Sequence, residues 1–225
     1  MSAANRLSRR DTMAEDSSTD NSSGRRTDQR ERLLRTAAQL FAEKGYHGTG
    51  VAELGRAVEL GRGGLYHHMG SKEALLVEIS VRHVRDMVKV GEEILASGLT
   101  PPEMLRALSR RLMRTIADSL PEVTVFFHEI NTLQGEAREE VLALRARAEA
   151  IWRQVLDEGV EEGYFRNGGG MVTKGILGMH NYSYVWIDPD GRLAPEDIAD
   201  IFCDLLLRGL LTDSALETFT PVRGT

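Results

Sequence analysis

From Thr27 onward the chain repeats one pattern: apolar residues recur three and four positions apart, separated by charged ones. Leu33, Leu34, Ala37, Ala38, Leu40 and Phe41 form one such face, which predicts a helix from residue 27 to Gly45. After "YHGTG" a short helix follows, with Val51, Leu54, Ala57 and Val58 inward. A very short turn leads to a second short helix in "GRGGLYHHMG". Ser71 is a good N-cap for a long amphipathic helix through Leu75, Leu76, Ile79, Val84, Met87 and Val90. Thr100 with Glu103, and Pro101 between them, spells a capping box and a proline-started helix to Ser119. "EVTVFFHEINTL" predicts a further helix, and Glu136–Gly163 a long one with Val141, Leu144, Ile151, Trp152 and Val155 inward. "GGG" at 168–170 is a break, residues 171–187 read as an apolar helix, and 196–211 as a last amphipathic one. No segment reads as a strand. The expected fold is all-α with about nine helices.

The pattern also divides the chain. Residues 1–26 are rich in Ser, Asp and Arg with almost no large apolar side chains, a composition that cannot offset ordering entropy and reads as a disordered tail. The Arg9–Arg10 and Arg25–Arg26 pairs there fit either phosphate contact or plain solvation. Residues 27–87 form an expected N-terminal three-helix domain with its helix-turn-helix over 50–69, and 88–225 a second helical domain.

Charge sharpens this division. Residues 1–72 hold 12 Lys and Arg against 9 Asp and Glu, whereas 73–225 hold 16 against 25, giving the net −6. A positive end on an acidic body points to a polyanionic partner for the first part only. The longest apolar runs are short ("LLL" at 205–207) and the N-terminus has no apolar stretch, so neither a membrane span nor a secretory signal is expected. With one cysteine, Cys203, an internal disulfide is excluded, and the cytoplasm is the expected location.

Two short helices joined by a tight turn, the second basic, suit insertion of the second into a DNA major groove. Arg62 matches the paired acceptors O6 and N7 of guanine, while Gly63 and Gly64 remove bulk where the helix must press against bases. Tyr66, His67, His68 and Lys72 are donors near the helix end, placed for phosphate oxygens. Thr49 and Gly50 offer a hydroxyl and backbone N–H groups to another phosphate.

Residues 30–76, "RERLLRTAAQLFAEKGYHGTGVAELGRAVELGRGGLYHHMGSKEALL", resemble the DNA-binding domain of the TetR family of bacterial transcriptional regulators. The resemblance rests on Ala38-Gln-Leu-Phe41, Lys44–Gly45–Tyr46, Thr49, Val51, Leu54, Gly63, Leu65–Tyr66, His68 and Ser71–Lys72–Glu73. It implies that Arg62, Gly63 and Gly64 face bases and that Thr49, Tyr66, His67, His68 and Lys72 hold phosphates. Three positions depart from the family pattern: Glu59 stands where Gly is usual in the inter-helix turn, Gly61 where a Ser or Thr cap is usual, and Met69 where Phe is usual.

The resemblance further implies that the remainder binds a ligand and dimerises, and that the protein represses transcription at a palindromic operator. Residues 171–187 and 196–211 are apolar enough to need burial on more than one side, as in a four-helix bundle of two copies. "GMHNYSYVWIDPDGRLAPEDIADIF" is similar to the C-terminal part of a TetR subgroup that controls lipid and steroid catabolism and answers to acyl-CoA thioesters. Phe126, Phe127, Met179, Tyr182 and Trp186, with His128, Glu129, His180 and Asn181 as polar anchors, are the expected pocket residues. Asp188-Pro-Asp-Gly resembles the opening of a calcium loop without its distal glutamate and reads as a turn.

A metal-dependent helical enzyme using His67, His68, His83, His128 or His180 is the competing class. Adjacent helical histidines point about 100° apart, and no His-x-x-x-His pair, phosphate loop or nucleophile elbow occurs. Neither catalysis, a metal nor a cofactor is expected. A helix-turn-helix protein that activates, or that has no ligand, is the remaining alternative.

Overall fold

A computed structural model describes the backbone over residues 16–222 and the side chains from residue 27, that of Arg62 excepted. Its described residues form ten α-helices and no strand: α1 (Asp16–Lys44), α2 (Val51–Ala57), α3 (Arg62–Met69), α4 (Lys72–Leu95), α5 (Pro101–Asp118), α6 (Leu120–Glu129), α7 (Gly135–Glu161), α8 (Gly170–Asn181), α9 (Pro195–Leu210) and α10 (Asp213–Thr218). Nine match the helices expected from the hydrophobic pattern, and α10 is additional. Short 3₁₀ turns at Ile130–Thr132 and Tyr182–Val185 follow α6 and α8.

Two compact units divide after Leu76, inside α4. The sequence places that boundary after Met87, but Met87 packs in the core of the second unit. A continuous amphipathic helix has no break in composition to mark where its partners change. Residues 16–26, assigned to the tail by composition, continue α1; lengthening an existing helix costs far less than starting one. Residues 1–15 lie outside the described residues.

In the first unit Leu33, Leu34, Ala37, Ala38 and Phe41 of α1 bury against Leu54, Val58, Leu65 and Met69. Gly55 permits the close approach of α2 and α3: a Cβ there would lie 3.1 Å from a Leu65 methyl and 3.3 Å from the Leu60 carbonyl. Gly70, with φ of 68°, ends α3 by donating its N–H to the Tyr66 carbonyl. The Ser71 hydroxyl then accepts the Ala74 N–H at 2.9 Å, capping α4 as expected.

The second unit is built around α5. Glu103 accepts from both the N–H (2.8 Å) and the hydroxyl (2.7 Å) of Thr100 at its start. Leu105, Leu108, Leu112, Met113 and Ile116 join Trp152, Val155, Leu156, Ile176, Cys203 and Leu207 in one core. A ladder of ion pairs ties α5 to α9: Arg106 to Asp200 and Asp204 (3.1 and 2.6 Å), and Arg114 to Glu196. Arg110 completes it by donating twice to Asp200, at 2.7 and 2.6 Å. Burial alone would raise the Asp200 carboxyl, but hydrogen bonds from Arg110 and Arg106 outweigh it and hold it below the usual carboxylate range.

The apolar segment 171–187 is not one helix. α8 stops at Asn181, where the Ser183 hydroxyl donates to the His180 carbonyl at 2.6 Å and the chain tightens into the 3₁₀ turn. Asp188–Gly191 is a turn closed by the Gly191 N–H on the Asp188 carbonyl.

Candidate nucleic-acid interface and ligand cavity

Helix α3 has one buried and one open face. Leu65 and Met69 are inward, while Gly63, Gly64, Tyr66 and His67 are exposed. Gly63, Tyr66 and His67, spaced i, i+3, i+4, share one stripe. A Cβ at Gly63 would meet nothing within 4 Å, and at Gly64 only a Leu60 methyl at 3.5 Å. Internal packing therefore asks for neither glycine, although each costs a helix about 1 kcal/mol relative to alanine. Bare backbone on an exposed helix face suits close approach by an external surface. Arg62 opens α3, and its side chain lies outside the described residues.

The remaining interface residues separate. Gly50 is an exposed cap at the start of α2, and at any helix start the first N–H groups point out of the helix. Lys72, at the start of α4, holds its ammonium 4.2 Å from the centre of the Tyr46 ring, a cation–π contact that fixes it near the end of α3. The half-buried His68 is anchored through its backbone, where Arg30 of α1 donates to its carbonyl. The rings of His67 and His68 stand edge-on, 75° apart. Thr49 is a correction. Its side chain is 1% exposed and its hydroxyl donates to the carbonyls of Leu40 (3.2 Å) and Gly45 (3.0 Å), so it ties down the α1–α2 turn instead of reaching a phosphate. Glu59 occupies the left-handed region, with φ of 58°, and its exposed carboxylate lies 3.7 Å from Arg32.

The second unit contains a cavity of about 390 Å³, open to solvent, among α4, α5, α6, α7 and α8. Val84, Met87, Leu112, Phe126, Phe127, Trp152 and Leu177 make it largely apolar, and His83, Arg145, Glu149, Lys174 and Asn181 add polar groups. Its size falls within the range of small-molecule sites. Burial pushes the His83 imidazole down to about 4, against a weaker upward pull from Asp86, so it is neutral near pH 7. Its Nδ1 is buried without a hydrogen-bond partner.

Of the expected pocket residues, Phe126, Phe127 and Asn181 line this cavity. The others do not. His180 is fully buried in the core: Nδ1 donates to the Ile176 carbonyl at 2.9 Å, which leaves Nε2 to accept from the Ser109 hydroxyl at 2.6 Å. His128 is exposed beside the Tyr184 hydroxyl, and Glu129 accepts from Thr132. Met179 is half-buried away from the cavity, and Tyr182 and Trp186 lie on the surface. The sequence missed the contributions of α4 and α7. Val84, Met87 and Trp152 were legible as inward positions, but not as walls of a shared space.

Tyr182, Val185 and Trp186 are exposed, as are Met171 of α8 and Ile201 and Leu205 of α9, all large apolar side chains left open. Among the described residues no helix is long and apolar enough to cross a membrane, and no three His, Cys, Asp or Glu side chains converge as a metal site.

Comparison with known proteins agrees with both halves of this description. Residues 33–79 match the family "Bacterial regulatory proteins, tetR family", and residues 98–210 match "Tetracyclin repressor-like, C-terminal domain". The HTH-type transcriptional repressor KstR2 of Rhodococcus jostii (strain RHA1) is 32% identical over 196 residues, covering 85% of this chain and 94% of that protein. Among solved structures, the TetR family transcriptional regulator PfmR from Thermus thermophilus superposes with a TM-score of 0.74 at 38% identity, over 80% of this chain and all of that one. AibR, solved in complex with isovaleryl coenzyme A and operator DNA, gives 0.72 at 30% identity, over 80% of this chain and 99% of that one.

Proposed function

Because the chain belongs to the TetR family of bacterial transcriptional regulators, which are not enzymes, we propose that it is a dimeric repressor released from its operator by a small molecule. α3 enters the major groove, with Arg62 reading guanine, Gly63 and Gly64 letting backbone approach the bases, and Tyr66, His67, His68, Lys72 and the start of α2 at Gly50 engaging phosphates. The observation that carries this reading is the exposed α3 face, where two glycines serve no internal packing need.

Two copies pair through the open apolar surface of α8, the Tyr182–Val185 turn and α9, which is the kind of surface a C2 dimer buries. A twofold dimer presents its recognition helices about 34–36 Å apart, one turn of a palindromic operator. The effector occupies the cavity and favours a conformer in which the two helices no longer match successive grooves. An acyl-CoA thioester is the effector class supported by the resemblance to the lipid and steroid catabolism regulators and by the isovaleryl-CoA bound to AibR.

Selection of duplexes from a random pool by the full chain, followed by gel-shift titration, tests the reading. A palindromic preference is expected. Arg62→Ala relaxes the preference at its base, whereas Lys72→Ala weakens binding to all sequences and lowers its salt dependence by roughly one ion. Equal, sequence-blind binding by wild type and both variants overturns the assignment.

A further inference from the structure

The sequence places the Thr49 hydroxyl on a phosphate, but in the fold it is buried on the carbonyls of Leu40 and Gly45. The turn that carries it is closely held. The Thr49 N–H donates to the Tyr46 carbonyl at 3.3 Å, which leaves His47 and Gly48 at the two corners. A Cβ at Gly48 would overlap the Lys44 carbonyl oxygen, so that corner stays bare. Between Gly45 and Gly50, His47 is the exposed side chain with hydrogen-bonding groups.

Tyr46 joins this corner to the start of α4. Its ring lies edge-on to His47, with centroids 5.1 Å apart, and edge-on to the buried Phe41 at 5.3 Å. The Lys72 ammonium stands 4.2 Å from the centre of that ring and 5.9 Å from that of Phe41. Lys44, the lysine at the end of α1, is committed to Glu53. Tyr46 thus stands between two hydrogen-bonding side chains that come from different segments.

A lysine on its flexible stem loses rotamer freedom when it grips a phosphate. An aromatic face that already holds the ammonium removes part of that cost before DNA arrives. The ring covers one side only, so N–H groups can still turn outward. Resting on the reading of this end of the first unit as the DNA interface, we propose that Tyr46 is a positioning residue that presents Lys72 to a backbone phosphate, and that His47 beside it donates to the DNA backbone as a further contact. The contact that Thr49 does not make is supplied by its neighbour in the same turn. Neither residue reads a base, so both act on every duplex alike.

Fluorescence anisotropy on the full chain, with the duplex selected from the random pool and an unrelated duplex, tests this. Tyr46→Leu weakens binding to both about two- to fivefold, the fold-change of one exposed cation–π contact. Tyr46→Phe, which keeps the ring, recovers most of the loss. In a Lys72→Ala background Tyr46→Leu has no further effect, because the ring then has no ammonium to hold. His47→Ala weakens binding to both duplexes about two- to tenfold, the value of one hydrogen bond, and His47→Gln, which keeps a donor, restores it. Tyr46 packs against Phe41, so urea denaturation accompanies the titrations. A merely structural loss adds to that of Lys72→Ala instead of vanishing with it, and the exposed His47 is tested without disturbing the core. The positioning role is overturned if Tyr46→Leu binds as wild type does or if its loss adds in full to that of Lys72→Ala. The His47 contact is overturned if His47→Ala binds both duplexes as wild type does. An unchanged Lys72→Ala rejects the interface reading itself, whereas a weakened Lys72→Ala beside unaltered Tyr46 and His47 variants rejects this seat alone.

Discussion

Glu59 carries two costs at one position. A left-handed backbone costs a non-glycine residue about 1–2 kcal/mol, and its carboxylate is exposed in the turn that precedes α3. The two effects separate by substitution. Glu59→Gly relieves both, so it raises stability by about 1 kcal/mol and tightens DNA binding. Glu59→Gln keeps the backbone strain, leaves stability unchanged and improves DNA binding alone. Urea denaturation and gel shifts on both variants check this, and equal stability of wild type and Glu59→Gly would refute it. Gly63 shows the opposite balance. Alanine fits there without contact, so Gly63→Ala stabilises the chain by up to about 1 kcal/mol and weakens operator binding several-fold through the added methyl. These residues were legible because local rules are broken at them: glycine in a helix, glutamate where glycine is usual. Thr49 was not, because nothing local tells a phosphate-facing hydroxyl from one that closes a turn through Leu40 and Gly45.

At the scale of elements, the hydrophobic period found nine helices, since each buries one face and says so every three to four residues. It failed where tertiary partners decide. α8 gives way at Asn181 to a 3₁₀ turn, where the Ser183 hydroxyl bonds the His180 carbonyl, and the cavity draws its walls from helices as far apart in sequence as His83 and Asn181. His83 illustrates the difficulty. In the sequence it is a lone histidine on an amphipathic helix; in the fold it is a half-buried imidazole among Val84, Met87 and Phe126, its Nδ1 buried without a hydrogen-bond partner. Its value falls from 6.5 unfolded to about 4 folded, so as pH drops the unfolded chain gains the proton first. The stability is intact above pH 6.5 and is lost between pH 6.5 and about 4, by of the order of 3 kcal/mol. Denaturation of wild type and His83→Leu across that window is expected to show a steeper fall for wild type. Parallel curves would mean that the imidazole charges freely in the folded state.

For the molecule as a whole, the question is what covers the apolar surface of the second unit. On α9 the inward positions are Ala199, Asp200, Cys203, Leu207 and Leu210, and the ion-pair ladder from α5 fixes that rotation. Ile201 and Leu205, one helical turn apart, are thereby held outward, 45% and 65% exposed. They do not serve the core of the chain, so replacing them separates the proposed dimerisation from folding. In a twofold interface every substitution acts twice, and burying a leucine or isoleucine is worth about 1.5–3 kcal/mol. An Ile201→Asp/Leu205→Asp variant is therefore expected to keep its helical circular dichroism and its melting in the monomer limit, while dimer affinity falls by roughly a hundredfold or more. Its operator binding falls further than its binding to a single half-site, because only the full site needs two recognition helices held together. Sedimentation equilibrium and gel shifts on full and half operators measure both. An unchanged dimer would place the subunit contact elsewhere on the second unit. A monomer that still distinguishes full from half sites would mean that dimerisation is not what sets operator recognition.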